Sequence, residues 1–130
     1  KVGFDVVVWE ASNGADALDF FSNYEEKHRK DPVRYPPIFI FLDINMPIMD
    51  GFSFLEAFDK LREDSLLKAV VVVMFTSSPR KEDKDRSFQF EAVKDYVIKG
   101  EFTAESLEAI FKAQMSSERY LQEKQAVWQA

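Results

Sequence analysis

Apolar and polar positions along this chain follow two alternating repeats, one suited to strands and one to helices. Ile38-Phe39-Ile40-Phe41-Leu42 is an unbroken apolar run ending at Asp43, the pattern of a strand covered on both faces, as in a parallel sheet. Ala69–Phe75 repeats that pattern and ends in Thr76-Ser77-Ser78-Pro79. Shorter strands are predicted at Val6–Trp9 and at Asp95-Tyr96-Val97-Ile98, the latter stopping at Lys99-Gly100. Between these runs the apolar period lengthens to three or four residues. Ala17, Leu18, Phe21 and Tyr24 line one face of a helix from Ala15 to about Lys27. Phe54, Leu55, Phe58 and Leu61 do the same for a helix from about Phe52 to Arg62. Glu82 to about Glu91 reads as another helix, and Thr103-Ala104-Glu105-Ser106 caps a last one running on toward the C-terminus. Strands separated by helices predict one α/β domain built on a parallel sheet.

Composition narrows the function more than the fold. With 130 residues, 46% of them hydrophobic and thirteen of them Phe, the chain can bury a core without staples. The absence of Cys excludes disulfides and thiolate chemistry and agrees with a reducing cytosol, so a cytoplasmic location is expected. The single His, His28, lies in the polar stretch Glu25–Lys30 and reads as a solvated residue, which excludes a His-based triad or metal cluster. A net charge of −6 disfavours direct contact with nucleic acid. No apolar run is long enough to cross a bilayer, and no signal peptide is visible.

In a parallel sheet all strand C-termini lie on one edge, where ligands bind. The predicted strands deliver to that edge the Asp43 carboxylate, the Thr76 hydroxyl with Ser77 and Ser78 beyond it, and the Lys99 ammonium. A carboxylate can attack a phosphoryl group to give an acyl phosphate. The new phosphoryl oxygens call for a hydroxyl donor and a cation, and phosphoryl transfer needs little beyond positioning and charge neutralisation. Alone, each residue has an ordinary reading as a turn former, a β-former or a solvated lysine. Their conjunction, each closing an apolar strand, points to a phospho-acceptor.

The stretch Phe41-Leu42-Asp43-Ile44-Asn45-Met46-Pro47-Ile48-Met49-Asp50-Gly51 resembles the phospho-acceptor segment of response-regulator receiver domains. Phe75-Thr76-Ser77-Ser78 resembles their switch hydroxyl segment, and Tyr96-Val97-Ile98-Lys99 their aromatic-switch and lysine segment. Glu10–Leu18 looks like their second strand and second helix, so the likeness extends from about Val6 to Phe111. The resemblance implies a flavodoxin-like, doubly wound sheet of order 2-1-3-4-5 in the family's own strand count. It implies phosphorylation of Asp43 by a histidine kinase or phosphotransfer protein, with Mg²⁺ held by Asp43, the Asn45 backbone carbonyl and an acidic pair. Thr76 would move toward the phosphoryl group and Tyr96 would turn inward. The face formed by about Glu82–Lys112 would then change shape for a downstream protein or output domain. Ser77 and Ser78 would flank the bound phosphoryl group, and Asn45 and Ser78 fall where the family tunes its lifetime.

This sequence departs from that pattern in three places. Nothing precedes the family's second strand, so the first strand, its acidic pair and the first helix are absent, and an interior sheet position stands open. An open interior slot leaves unpaired backbone groups and a divided core; we expect a trimmed chain, or a strand supplied by another chain, and poor phosphoryl acceptance as the chain stands. Gly100 replaces the Pro that usually follows the lysine, so a trans peptide is expected there. Residues 1–113 are expected to form the receiver domain. The tail from Gln114 to Ala130 reads as a helical extension: a dimerising helix, a linker to an output module, or a frayed amphipathic end. Two other functions compete with the signalling module, which is not expected to be an enzyme acting on other molecules. One is a pseudo-receiver that binds proteins without phosphorylation. The other is an aspartyl-nucleophile hydrolase, disfavoured because Asn45 stands where a second Asp belongs.

Overall fold

The computed structural model describes residues 5–32, 35–37, 39–63, 65–114 and 124–129, with backbone alone for the first and last six of these. Five strands, β1 (Asp5–Glu10), β2 (Phe39–Leu42), β3 (Val71–Thr76), β4 (Val93–Ile98) and β5 (Lys124–Gln129), form one sheet. Every pairing is parallel and the order is β1-β5-β2-β3-β4. The helices are α1 (Gly14–Phe21), α2 (Tyr24–Lys30), α3 (Gly51–Arg62), α4 (Lys81–Ser87) and α5 (Ala104–Gln114).

The unbroken apolar runs are strands buried on both faces, and the alternation of their side chains divides the core in two. Ile40 and Leu42 of β2 join Val72 and Met74 of β3 under α1 and α3, with Phe21, Phe54, Leu55 and Phe58. Phe39, Phe41, Val71 and Val73 face the opposite way, against Ile110 of α5 with Phe102 and Leu107. Each of these large side chains contributes roughly 1.5–3 kcal/mol by leaving water. Packing of Phe21 edge-to-face on Phe58 (4.9 Å) and tilted against Phe54 (6.1 Å) fixes α1 against α3. Helices on both sides of a parallel sheet make the doubly wound architecture expected from the pattern.

Several boundaries differ from expectation for local reasons. The helix expected over 15–27 is two helices, because Asn23 takes a left-handed φ of 53° that ends the first and starts the second. The helix expected from Glu82 stops at Ser87, whose hydroxyl turns back to the Asp83 carbonyl at 2.7 Å. His28 is half-buried and not free in solvent: its Nδ1 lies 2.7 Å from the Tyr35 carbonyl oxygen. Burial pushes the Tyr35 phenol above its ordinary pKa, and its hydroxyl donates to the Phe20 carbonyl at 2.8 Å.

The larger correction concerns the tail. Residues 124–129 are not a helical extension but a strand, and that strand fills the interior slot expected to stand open. It pairs on one side with β1, where Val8 faces Val127, and on the other with β2, where Phe39 faces Val127. A slot with unpaired backbone on both sides offers a strand two ladders at once, and this outweighs the weak helical spacing of the segment. The connection through residues 115–123 lies outside the described residues. Val127→Pro removes a ladder donor from this interior strand and is expected to lower the unfolding free energy by about 1–3 kcal/mol, measured by urea denaturation. An unchanged midpoint would place the segment outside the sheet.

Candidate functional site

The C-terminal ends of β2, β3 and β4 lie side by side, in a register that pairs Leu42 with Met74 and Met74 with Tyr96. Asp43 follows β2 directly, Thr76 closes β3, and Lys99 follows β4 at the head of a short 3-10 turn, Lys99–Glu101. The Lys99 ammonium reaches across the end of β3 to the Asp43 carboxylate, Nζ to Oδ2 2.6 Å. Its approach is guided by Phe75, whose ring centroid lies 5.7 Å from Nζ and which packs on Phe102 at 4.8 Å. The Lys99–Gly100 peptide is trans, as expected for Gly in that position. With side-chain exposures of 42% for Lys99 and 18% for Asp43, the pair adds only about 0.2–1 kcal/mol to stability. Its effect is to aim one carboxylate oxygen.

The other carboxylate oxygen, Oδ1, accepts the Asn45 backbone N–H at 3.2 Å. That bond forms within the loop from Asp43 to Asp50, which two glycines hold in place. Gly51 N–H donates to the Ile44 carbonyl at 2.8 Å, and a Cβ there would run into the Asp43 carbonyl oxygen and stand 3.0 Å from Ile44 Cα. Gly14, at the start of α1, donates to the Met49 carbonyl at 2.8 Å, and a Cβ there would lie 2.5 Å from that oxygen. Asp50 caps α3 by accepting the Ser53 N–H at 2.8 Å. Ile48, at the loop's crest, is 85% exposed with a φ of 67°, a left-handed conformation that costs a β-branched residue roughly 1–2 kcal/mol.

Thr76 is fully buried, and its Oγ1 accepts the Ser78 N–H at 3.2 Å. Ser77 is exposed and Ser78 half-buried on the loop that leads into α4. Tyr96, on β4, is half-buried and donates its hydroxyl to the Ser78 carbonyl at 2.8 Å. Burial pushes its phenol pKa up, and the negative charges of Asp83 and Asp43 push the same way; the bond to Ser78 opposes them. The sheet edge therefore gathers Asp43, Thr76, Ser77, Ser78, Tyr96 and Lys99 in one region, with Asp43 and Lys99 in contact and Thr76, Ser78 and Tyr96 linked by hydrogen bonds.

Metal ligands are sparse. Among the described residues no group of three or more acidic or His side chains is disposed to hold a cation. Asp43 and the Asn45 carbonyl are the candidates at this edge, and Mg²⁺ takes six oxygens in near-ideal octahedral geometry. The strand beside Asp43, β5, brings Gln129 opposite Phe41 at its end and not an acid. Sequence reasoning missed Asp83, whose carboxylate takes the Ser78 hydroxyl, and the two close-approach glycines. Gly14 and Gly51 each stand at a helix start, a recognisable position; nothing distinguishes Asp83 from any other acid in a first helical turn.

Comparisons with known proteins bear on the family and the fold. A sequence model of the response regulator receiver domain matches residues 1–112. A DNA-binding response regulator of the LuxR family from Staphylococcus aureus is 28% identical, with a TM-score of 0.56 over 79% of this chain and 72% of its own. The receiver domain of the histidine kinase CKI1 from Arabidopsis thaliana, in a single-substitution variant, gives a TM-score of 0.62 at 15% identity, over 85% of this chain and 91% of its own. The Mn(2+)-bound form of response regulator Rcp1 gives 0.51 at 18% identity, over 87% and 96%. The last two show the shared fold alone. No curated protein matches the chain.

The glycine contacts give a paired prediction. Gly51→Ala is expected to cost about 1–3 kcal/mol by forcing the loop away from β2, whereas Gly100→Ala, with nothing within 4 Å of the added carbon, should stay within about 0.5 kcal/mol of the unaltered chain. Chemical denaturation of both variants checks it.

Proposed function

This chain belongs to the response regulator receiver family, and we propose that it acts as a phospho-acceptor switch with Asp43 as the acceptor. The observation that carries this reading is the Asp43–Lys99 contact at 2.6 Å across the end of β3, next to the strand that ends in Thr76. Receiver domains are in general signalling domains and not enzymes. They interact with histidine kinases or phosphotransfer proteins and with output domains.

An Asp43 carboxylate oxygen forms the new O–P bond as the donor's P–N bond breaks, and the donor imidazole leaves with the electron pair. A carboxylate nucleophile has no proton to give up and so needs no general base. Lys99 neutralises charge on the acyl phosphate, and Thr76, released from Ser78, donates its hydroxyl to a phosphoryl oxygen. Ser77 and Ser78 lie on the loop that would have to accommodate the group. Tyr96 reports that loop's position through its bond to the Ser78 carbonyl. The donor is a histidine kinase or phosphotransfer protein, the reader a downstream protein or output domain, and the setting the cytoplasm. No helix among the described residues is long and apolar enough to cross a membrane.

Response regulator Rcp1 is known in a Mn(2+)-bound form, and Mg²⁺ is the cation we propose here. Asp43 and the Asn45 carbonyl would hold it, and its chemistry would be neutralisation of phosphoryl charge.

Incubation with acetyl phosphate and Mg²⁺, followed by intact mass, tests the assignment. The unaltered chain is expected to gain a phosphoryl group, and Asp43→Asn to gain none. Uptake by Asp43→Asn at the unaltered rate would place the acceptor elsewhere.

A further inference from the structure

Ser78 is the point where the three elements around the site meet. Its N–H donates to Thr76 Oγ1 at the end of β3 (3.2 Å), and its carbonyl accepts the Tyr96 hydroxyl from β4 (2.8 Å). Its own hydroxyl donates to Asp83 Oδ2 on α4 at 2.6 Å, and the Ser78 Oγ accepts the Arg80 N–H at 3.4 Å. The ordinary reading of Asp83 is a first-turn acid that complements the helix dipole. The geometry says more: α4 has no side-chain cap from its N-cap residue Arg80, and the Asp83 carboxylate is spent on the Ser78 hydroxyl. A charge-assisted O–H···O⁻ bond of that length is roughly twice as strong as a neutral one.

We propose that Asp83 is a positioning residue that holds Ser78, through this bond, where its carbonyl keeps the Tyr96 hydroxyl in place. Two restraints then act on Ser78 from opposite sides. Thr76 holds its N–H from the sheet, and Asp83 holds its hydroxyl from α4. When the Thr76 hydroxyl turns to another partner, the Asp83 bond is what remains to decide whether Ser78, and Tyr96 with it, stays or shifts. Asp83 thereby sets the strength of the link between the sheet edge and α4. The functional meaning of that link rests on the phospho-acceptor reading, but the position of Tyr96 can be measured without any phosphoryl group.

The test uses the full chain labelled with 3-fluorotyrosine, which carries four tyrosines, and fluorine NMR, with Tyr96→Phe identifying the Tyr96 signal. Asp83→Ala is expected to move that signal toward the position of free fluorotyrosine while the others stay in place. Ser78→Ala, which removes the same bond from its other end, should produce the same shift, and the double variant no further one. Asp83→Asn keeps an oxygen acceptor and should retain the unaltered signal. An unmoved Tyr96 signal in either folded alanine variant overturns the proposal, and so does an Asn variant that behaves like the Ala variant. Failure of acetyl phosphate to label the unaltered chain would remove the phospho-acceptor reading and leave these signals to decide the role of Asp83 by themselves.

Discussion

Everything at the site depends on β2, β3 and β4 running in one direction with their ends level. Parallel pairing puts the residue after each strand on one edge, so three positions separated by dozens of residues in the chain become neighbours. The Asp43–Lys99 contact spans the width of β3, and only that register allows it: the Leu42–Met74 and Met74–Tyr96 pairings keep the ends within reach of a lysine stem. A slip of one residue would turn every side chain of the slipped strand to the other face and carry the strand ends out of line. The double-sided burial of β2 and β3 resists that slip, since Phe39 and Phe41 fill one half of the core while Ile40 and Leu42 fill the other. Packing that looks purely structural is therefore what aligns the chemistry.

The loop after Asp43 carries a different kind of constraint. It is pressed against β2 so closely that Gly51 leaves no space for a side chain, and a second glycine on α1 clasps it from the far side. Ile48 is held with a positive φ at its crest while its side chain projects into solvent. Strain of this sort persists where surrounding bonds over-determine the backbone; here they are the Gly14, Gly51 and Asp50 interactions. The outcome is a carboxylate with both oxygens committed, one to Asn45 N–H and one to Lys99.

Much of this was legible in the residues. The runs ending at Asp43 and Thr76 could only be strands covered on both sides, and their ends foretold a common edge. Lys99 was legible as the residue closing the next strand, and Tyr96 only through the family resemblance. What the residues did not reveal depends on distant partners. Lys124–Gln129 has no strong strand signal of its own, and Leu121, Val127 and Trp128 suggested a thin helical stripe. Its conformation follows from the vacancy between β1 and β2, which no local pattern can report. His28 looked solvated because its sequence neighbours are polar, yet the Tyr35 carbonyl that engages it comes from the following loop. Asp83 has the same limitation, since its partner Ser78 is chosen by the path of the chain into α4.

The position of β5 has a consequence for how the molecule assembles. β1 touches the rest of the sheet only through β5, so the pairing of Asp5–Glu10 must wait for a segment more than a hundred residues further along the chain. The β2-α3-β3 unit closes a much shorter span of chain and can organise earlier, whereas closing this longer ladder is entropically slow. The ladder thus joins a segment made early to one made late. Until the later segment arrives this ladder cannot form, so β5 is the strand whose insertion completes the sheet.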